Sequence, residues 1–435
     1  MRRRRSTVRW AATLGVLSLV GAACGSSAKS SSSSGTAATG SSATTAAASS
    51  GSGGGSSQTI DIGLLVPLTG PYADTGQEQK LGAQLAIDEI NSSGGIKGLG
   101  GAKLKLVVRD AGTAVSDSVS AMTSLLSSNN IVAGIGTGIT SNTLAATAVS
   151  EQQHVPWLDV TFGDQLTQRG FKYLFITSPL QSTLDAGYYP AVDSLAKAAG
   201  TPISRIALLP GTNSVLVDTA NNIAKNFAPK FGWNVVLNET LAPGSVTGGV
   251  AAGLVSKIQS DHIQALFVGS STPDVAAVQK QELAEGMTPV PWILSGAPYL
   301  SKTFLDSVGS TGAQGVMTSA SAGVYPSDQA IANKISAAGQ EPNEYNLVPY
   351  SEVYMIADAL NAAKSTSSQA VRNALASLNI QGGPAGSVWP CDCERFDSTG
   401  RTATDGNGVI VQWQNGKPVT VYPPSVATAK AYFPK

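Results

Sequence analysis

The chain has 435 residues, 42% of them apolar, 13% charged and 6% aromatic, and its 28 Lys and Arg are matched by 28 Asp and Glu. The balance hides an asymmetry, because Arg2, Arg3, Arg4, Arg5 and Arg9 all precede the first acid, Asp61, and without them 23 bases face 28 acids. Such a mildly acidic body has no basic footprint for a phosphate backbone, and two histidines (His154, His262) with three cysteines leave little for a zinc site, so nucleic-acid binding and metal chemistry are disfavoured from the start.

Residues 1–9 are basic, 10–20 are apolar, and Gly21, Ala22 and Ala23 then lead to Cys24. This is the pattern of an export signal, 1–23, whose apolar core is shorter than the ~20 residues a spanning helix needs. A cysteine straight after small residues resembles a bacterial lipoprotein signal, in which Cys24 is acylated as the first mature residue; Gly21 departs from the aliphatic usual at its position. Ordinary cleavage near Ala23 is the alternative. From 25 to 57 every residue is Gly, Ser, Ala or Thr except Lys29. A run of this kind buries no apolar surface, so 24–57 reads as a solvated tether spanning roughly 30 Å.

The remaining chain, 58–435, is long enough for two lobes. Strand-like and helix-like runs alternate: strand 60–66, helix 77–91, strand 104–109, helix 115–128, strand 131–135, helix 141–152 and strand 156–160. A second series gives helix 184–199, strand 205–209, helix 215–231, strand 234–240, helix 250–260, strand 265–269, helix 274–285 and strand 292–295. Strand 315–319, helices 329–338 and 344–364 and a β-rich tail from 388 complete it. Alternation of this kind predicts an α/β fold of two Rossmann-like lobes with parallel-rich sheets. Ligands in such sheets sit beyond the strands' carboxyl ends, so two facing lobes predict a closing cleft.

Motifs for catalysis are missing. The Gly416-Lys417 pair is followed by Pro418 and makes no phosphate loop, no G-x-S-x-G elbow occurs, and Gly134, Gly136 and Gly138 lack the third glycine of a dinucleotide fingerprint. Without a nucleophile–base–acid set, no enzyme and no cofactor are expected. The same segment does place Thr137, Thr140, Ser141 and Asn142 at a helix N-terminus, where hydroxyls and free N–H groups either receive a carboxylate or simply cap the helix.

Pro67-Leu68-Thr69-Gly70-Pro71, then Gly82-Ala83, Ala86-Ile87 and the run Ile90-Asn91-Ser92-Ser93-Gly94-Gly95-Ile96-Lys97-Gly98, closely resemble the opening of leucine/isoleucine/valine-binding and related extracytoplasmic solute-binding proteins of ABC importers. The likeness continues through Arg109-Asp110, residues 136–143, 166–171, Gln314-Gly315-Val316, 350–360 and 395–400. It implies a type I periplasmic-binding fold crossed three times by the chain, with lobe 1 at 58–181 and 320–382 and lobe 2 at 182–319 and 383–435. It also implies a monomer, lipid-anchored on the outer face of the cytoplasmic membrane, that captures a small solute and delivers it to an ABC permease. A sensor acting through a partner receptor is the other reading.

The resemblance places lobe 1 contacts at Thr140 or Ser141 and at Thr161 or Phe162; near Thr75 the expected aromatic is missing, and Tyr72 stands close by. In lobe 2 the usual Tyr-Gly becomes Val215-Leu216, an aromatic becomes Ser271, and the acid that pairs with a ligand ammonium falls around Gly296-Ala297. Asp185 and Glu352 replace that acid only if they enter the cleft. An ammonium buried without a carboxylate costs several kcal/mol. The expected ligand is therefore an amide-like solute or an organic acid before an amino acid, held by hydroxyls and flanked by Tyr72, Phe162, Tyr299 or Tyr350. With Cys24 acylated, Cys391 and Cys393 remain to form one local disulfide.

Overall fold

The computed structural model describes residues 58–403 and 408–434, with Ala297 as backbone only; the predicted signal, Cys24 and the tether lie outside the described residues. The first series is β1 (Thr59–Val66), α1 (Ala73–Ser92), β2 (Lys103–Asp110), α2 (Val115–Ser128), β3 (Ile131–Ile135), α3 (Thr140–Gln152), β4 (Trp157–Asp159) and β5 (Leu174–Ile176). Its strands form a wholly parallel sheet in the order β2-β1-β3-β4-β5. Alternation along β1 sends Ile62 and Leu64 to one face and Leu65 to the other, where Met122, Leu125 and Trp157 bury it. Both faces are covered, which is why the strand reads as a continuous apolar run.

The second series runs α4 (Gln181–Ala198), β6 (Arg205–Pro210), α5 (Ser214–Asn222), a π-turn (Ile223–Phe227) leading into α6 (Ala228–Phe231), β7 (Asn234–Asn238), α7 (Gly248–Ser260), β8 (Ala265–Gly269), α8 (Thr272–Ala284), β9 (Trp292–Ser295), α9 (Lys302–Ala313) and β10 (Met317–Ala320). After it come α10 (Gln329–Ala337), α11 (Glu344–Ala363), α12 (Ser368–Ala376), β11 (Asn379–Gln381), α13 (Gly383–Gly386), β12 (Cys393–Arg395), β13 (Val409–Gln414) and β14 (Lys417–Tyr422). The second sheet is ordered β14-β13-β10-β9-β8-β6-β7, parallel from β6 to β10 and antiparallel through β13 and β14. The expected α/β architecture with two parallel-rich sheets is what the chain builds. Among the described residues no helix is long and apolar enough to cross a membrane.

Sheet membership shows where the chain passes between lobes. It leaves the first sheet after β5, and it leaves the second after β10, when α11 packs on α1. That packing is close because residue 82 is glycine: a Cβ there would lie 1.9 Å from the Asn346 carbonyl oxygen. The last passage differs from the one expected at 382/383. β11 and β12 are paired antiparallel across that point, and Thr402 N–H donates to Ile176 O (2.8 Å) at the end of β5, so 383–402 stays with the first sheet and β13 begins the return. Cys391, in the loop before β12, is disulfide-bonded (S–S 2.13 Å) to Cys393, the first residue of that strand.

Some elements depart from the sequence expectation. The helix expected at 215–231 is interrupted by the π-turn, and β5, α9 and α12 were not foreseen. β5 has only three residues, and α9 contains Gly309 at φ 68°, so neither carries a sustained period.

Candidate ligand-binding cleft

Parallel strands followed by helices bring strand carboxyl ends and helix N-termini to the same edge of each sheet. In this chain the two edges face one cavity of about 630 Å³ of empty space, the solvent at its mouth included. From the first lobe come Tyr72 and Thr75 at the start of α1, Gly138, Ile139 and Thr140 at the start of α3, Phe162 after β4, and Tyr345 of α11. The second contributes Asn213, Val215 and Leu216 at the start of α5, Ser270 after β8, Ser295 at the end of β9, and Gly296, Pro298 and Tyr299 after it. Gln181, where the chain first changes lobe, closes one side.

The loop before α3 is held from behind. Asp159, buried at the end of β4, accepts the N–H groups of Thr137 (2.8 Å) and Gly138 (3.2 Å) and the Thr143 hydroxyl (2.9 Å). Burial pushes its carboxyl up to about 6, against the lowering effect of these donors. The Trp157 indole donates to Gly136 O from beneath. Gly138 sits at φ 78°, and a Cβ would lie 2.3 Å from Gln79 Nε2. The positive φ is what calls for glycine at this point, and the first N–H groups of α3 lack intrahelical partners.

The opposite wall is fixed by other bonds. The Tyr299 hydroxyl accepts from Ser270 N–H (2.8 Å) and donates to Ser270 O (2.5 Å). Asn213 caps α5 by accepting from Val215 N–H (2.9 Å). Gln181 Nε2 donates to Asp185 (2.7 Å) and reaches Ser295 Oγ at 3.4 Å, linking the crossing to β9.

Of the residues singled out from sequence, Tyr72, Thr75, Thr140, Phe162 and Tyr299 line the cavity, and Ser141, Thr161, Ser271 and Tyr350 do not. Ser141 Oγ turns to Asn142 (3.3 Å), Ser271 donates to Asp274 (2.5 Å), and Tyr350 donates to Glu89 (2.6 Å) between α11 and α1. Thr161 is buried beside Asp159. Sequence reasoning missed Gln181, Asn213, Ser270, Ser295 and Tyr345. Only Asn213 carried a local signal, as a helix N-cap type ahead of an apolar run.

The cavity wall has hydroxyls, amides and rings but, among the described lining residues, no Asp, Glu, Lys, Arg or His. Burial raises the Tyr72 phenol to about 12 and lifts those of Tyr299 and Tyr345 further, so all three are neutral donors. Asp185 is engaged by Gln181 and by Asn222 (3.1 Å), and burial raises it to about 6; Glu352 accepts from the Thr177 hydroxyl (2.6 Å) inside the first lobe, and burial raises it to about 8. Neither lines the cavity. Thr75 does, and its hydroxyl is buried without a hydrogen-bond partner among the described residues. Among those residues, no group of three or more His, Cys, Asp or Glu is placed to hold a metal ion.

Comparison with known proteins bears on the fold and the family. A curated relative, the Leu/Ile/Val-binding protein homolog 8 of Brucella melitensis biotype 1, is 27% identical over 395 residues, covering 86% of this chain and 93% of that protein. Among solved structures, the branched-chain amino acid transporter substrate-binding protein LivJ of Streptococcus pneumoniae, in complex with isoleucine, superposes with a TM-score of 0.68 at 22% identity, over 83% of this chain and all of that one (100%). An ABC transporter solute-binding protein of R. palustris in complex with benzoate gives 0.69 at 16% identity, over 86% of this chain and 98% of that one. The family profile described as periplasmic binding protein matches residues 59–417, and the chain therefore belongs to that family, one of solute-binding proteins and not of enzymes.

Proposed function

We propose that this chain is the extracytoplasmic receptor of an ABC importer, lipid-anchored through Cys24, that closes its two lobes over a small carboxylic acid or amide and presents it to the permease. The observation that carries the reading is the chemistry of the cavity wall: helix N-termini and neutral donors with no acid among the described lining residues. A carboxylate or carbonyl finds donors at the start of α3, where the aligned peptide dipoles favour negative charge. Thr140 and Thr75, the latter with a hydroxyl buried without a partner among the described residues, line the same side of the cavity. Among the described residues no acid lines the wall to pair with an α-ammonium, and burying one unpaired is costly. Phe162, Tyr72 and Tyr299 then flank an apolar body. Contacts made only when both lobes touch the ligand supply the differential affinity that drives closure.

The test is a thermal-shift panel on refolded, ligand-stripped protein with organic acids, amides, amino acids and sugars. Monocarboxylates or amides are expected to raise the melting temperature through linkage, at concentrations where glycine and alanine do not. Stabilisation by branched-chain amino acids alone would show that the ammonium finds a partner after all. In cells, Cys24→Ser is expected to move the protein from the detergent-extracted membrane fraction to the soluble one.

A further inference from the structure

A second space lies beside the cleft, sharing Gln181 and Val215 with it as walls. It measures about 150 Å³ once open solvent is left out, room for several waters or a small organic ion. α5 supplies one side through Val215, Asp218, Thr219 and Asn222, whose i, i+3, i+4, i+7 spacing puts them on a single stripe of the helix. The start of α4 adds Asp185, and Asp164, between β4 and β5, brings the first lobe to the same space.

Its charges are all of one sign. Asp164, Asp185 and Asp218 line it, and among the described lining residues there is no Lys, Arg or His. Asp185 is 3% exposed, and its partners are neutral amides, Gln181 Nε2 (2.7 Å) and Asn222 Nδ2 (3.1 Å). Asp164 accepts from the Ser182 N–H (3.2 Å) and hydroxyl, and its charge adds to the burial that raises Asp185. Asp218 is exposed and has no side-chain partner among the described residues. A carboxylate buried as deeply as Asp185, with a second one near it from the other lobe, calls for a counter-charge. A separate observation points the same way. Thr219, 5% exposed, stands in the middle of the α5 stripe, and its hydroxyl has no hydrogen-bond partner among the described residues. Acceptors left open in this way suit a positive group with several N–H donors, which is what a primary ammonium carries. Among the described residues no three acids are placed to hold a metal ion.

We infer that this space is a second binding site, separate from the cleft, for a small primary ammonium ion, with Asp185, Asp218 and Thr219 of the second lobe and Asp164 of the first as its acceptors. Bonded to both lobes, the ion offsets the repulsion between their carboxylates and favours the facing arrangement of the two.

Isothermal titration of the full chain with n-propylammonium chloride, near neutral pH and at fixed ionic strength, tests this. No cleft ligand is used, so the result is read apart from the proposed function. Binding to a single site is expected, with tetramethylammonium, which has the charge but no N–H, about tenfold weaker or more. Asp218→Asn, at an exposed helix position, and Thr219→Val, nearly isosteric, are each expected to weaken propylammonium several-fold, and either decides the matter should the other fail to fold. Absence of propylammonium binding overturns the site. Equal affinity for tetramethylammonium also overturns it, by reducing the effect to surface charge, and so does affinity unchanged in both variants, by placing the ion elsewhere. Displacement of propylammonium by equimolar magnesium chloride would make the space a metal site and overturn the ammonium assignment.

Discussion

Thr140 and Ser141 are sequence neighbours, yet only Thr140 lines the cavity, because successive residues on a helix point about 100° apart. The sequence narrows the site to such pairs and the backbone chooses within them, as it does again between Thr161, buried beside Asp159, and Phe162, on the cavity wall. Ser271 and Tyr350 were of the right residue type, but each answers to a nearer partner, Asp274 and Glu89. No periodicity reveals those partners, and Ser295 or Tyr345 had no signal at all, since their place depends on how the lobes face each other. The role given to Thr140 makes a direct prediction. Thr140→Val keeps the volume and removes a donor to a charged oxygen, a bond worth ~1.5–3 kcal/mol. Titration with a bound acid is expected to show affinity about 10- to 100-fold weaker, with the free protein's melting temperature little changed. Undiminished affinity would remove Thr140 from the site.

Elements were read best where the pattern was long. Helix 77–91 was expected from Leu81, Leu85, Ala86 and Ile90, and α1 (Ala73–Ser92) adds one turn at its start. The expected stripe is only partly the buried one, because Leu81 and Leu85 are half-buried while Gly82, Ala83, Ala86 and Ile87 are the residues that sink. Hydrophobicity alone does not reveal this. The neighbour on that side is the backbone of α11, and close approach selects small residues over large ones. Gly82→Ala is accordingly expected to destabilise the fold by ~1–3 kcal/mol through overpacking, more than offsetting alanine's better helix propensity. Urea denaturation reads it directly: the midpoint should fall with the slope unchanged. A stabilised variant would mean that α1 and α11 separate easily.

At the scale of the whole molecule, burial has left carboxyls ionising late in both lobes. Asp159 is raised to about 6 and Glu352 to about 8 in the first, Asp185 to about 6 and Glu282 to about 8 in the second, all chiefly by loss of solvent. Glu394 (about 8) and Asp328 (about 7) add to them. An acid with a folded-state pKa above its unfolded value keeps its proton in the native state after the unfolded chain has lost it. Its contribution to stability is therefore complete below the unfolded value, near 4, and is lost as pH rises through the folded value. Asp110 and Asp397 act oppositely. Backbone and side-chain donors hold them below the usual range despite their partial burial, so what they contribute is lost only under more acidic conditions. The two groups together place the stability maximum near the unfolded carboxyl value of ~4. The melting temperature is expected to fall steadily from there to about pH 8.5, and Glu352→Gln, which cannot ionise but keeps a partner for the Thr177 hydroxyl, should flatten the upper part of that fall. Because Glu352 does not line the cavity, the variant should bind as tightly as wild type at pH 5. A flat wild-type profile between pH 5 and 8.5 would mean that these carboxyls reach water in the native state, and the closeness of packing around Asp159 and the α3 loop would have to be reconsidered with it.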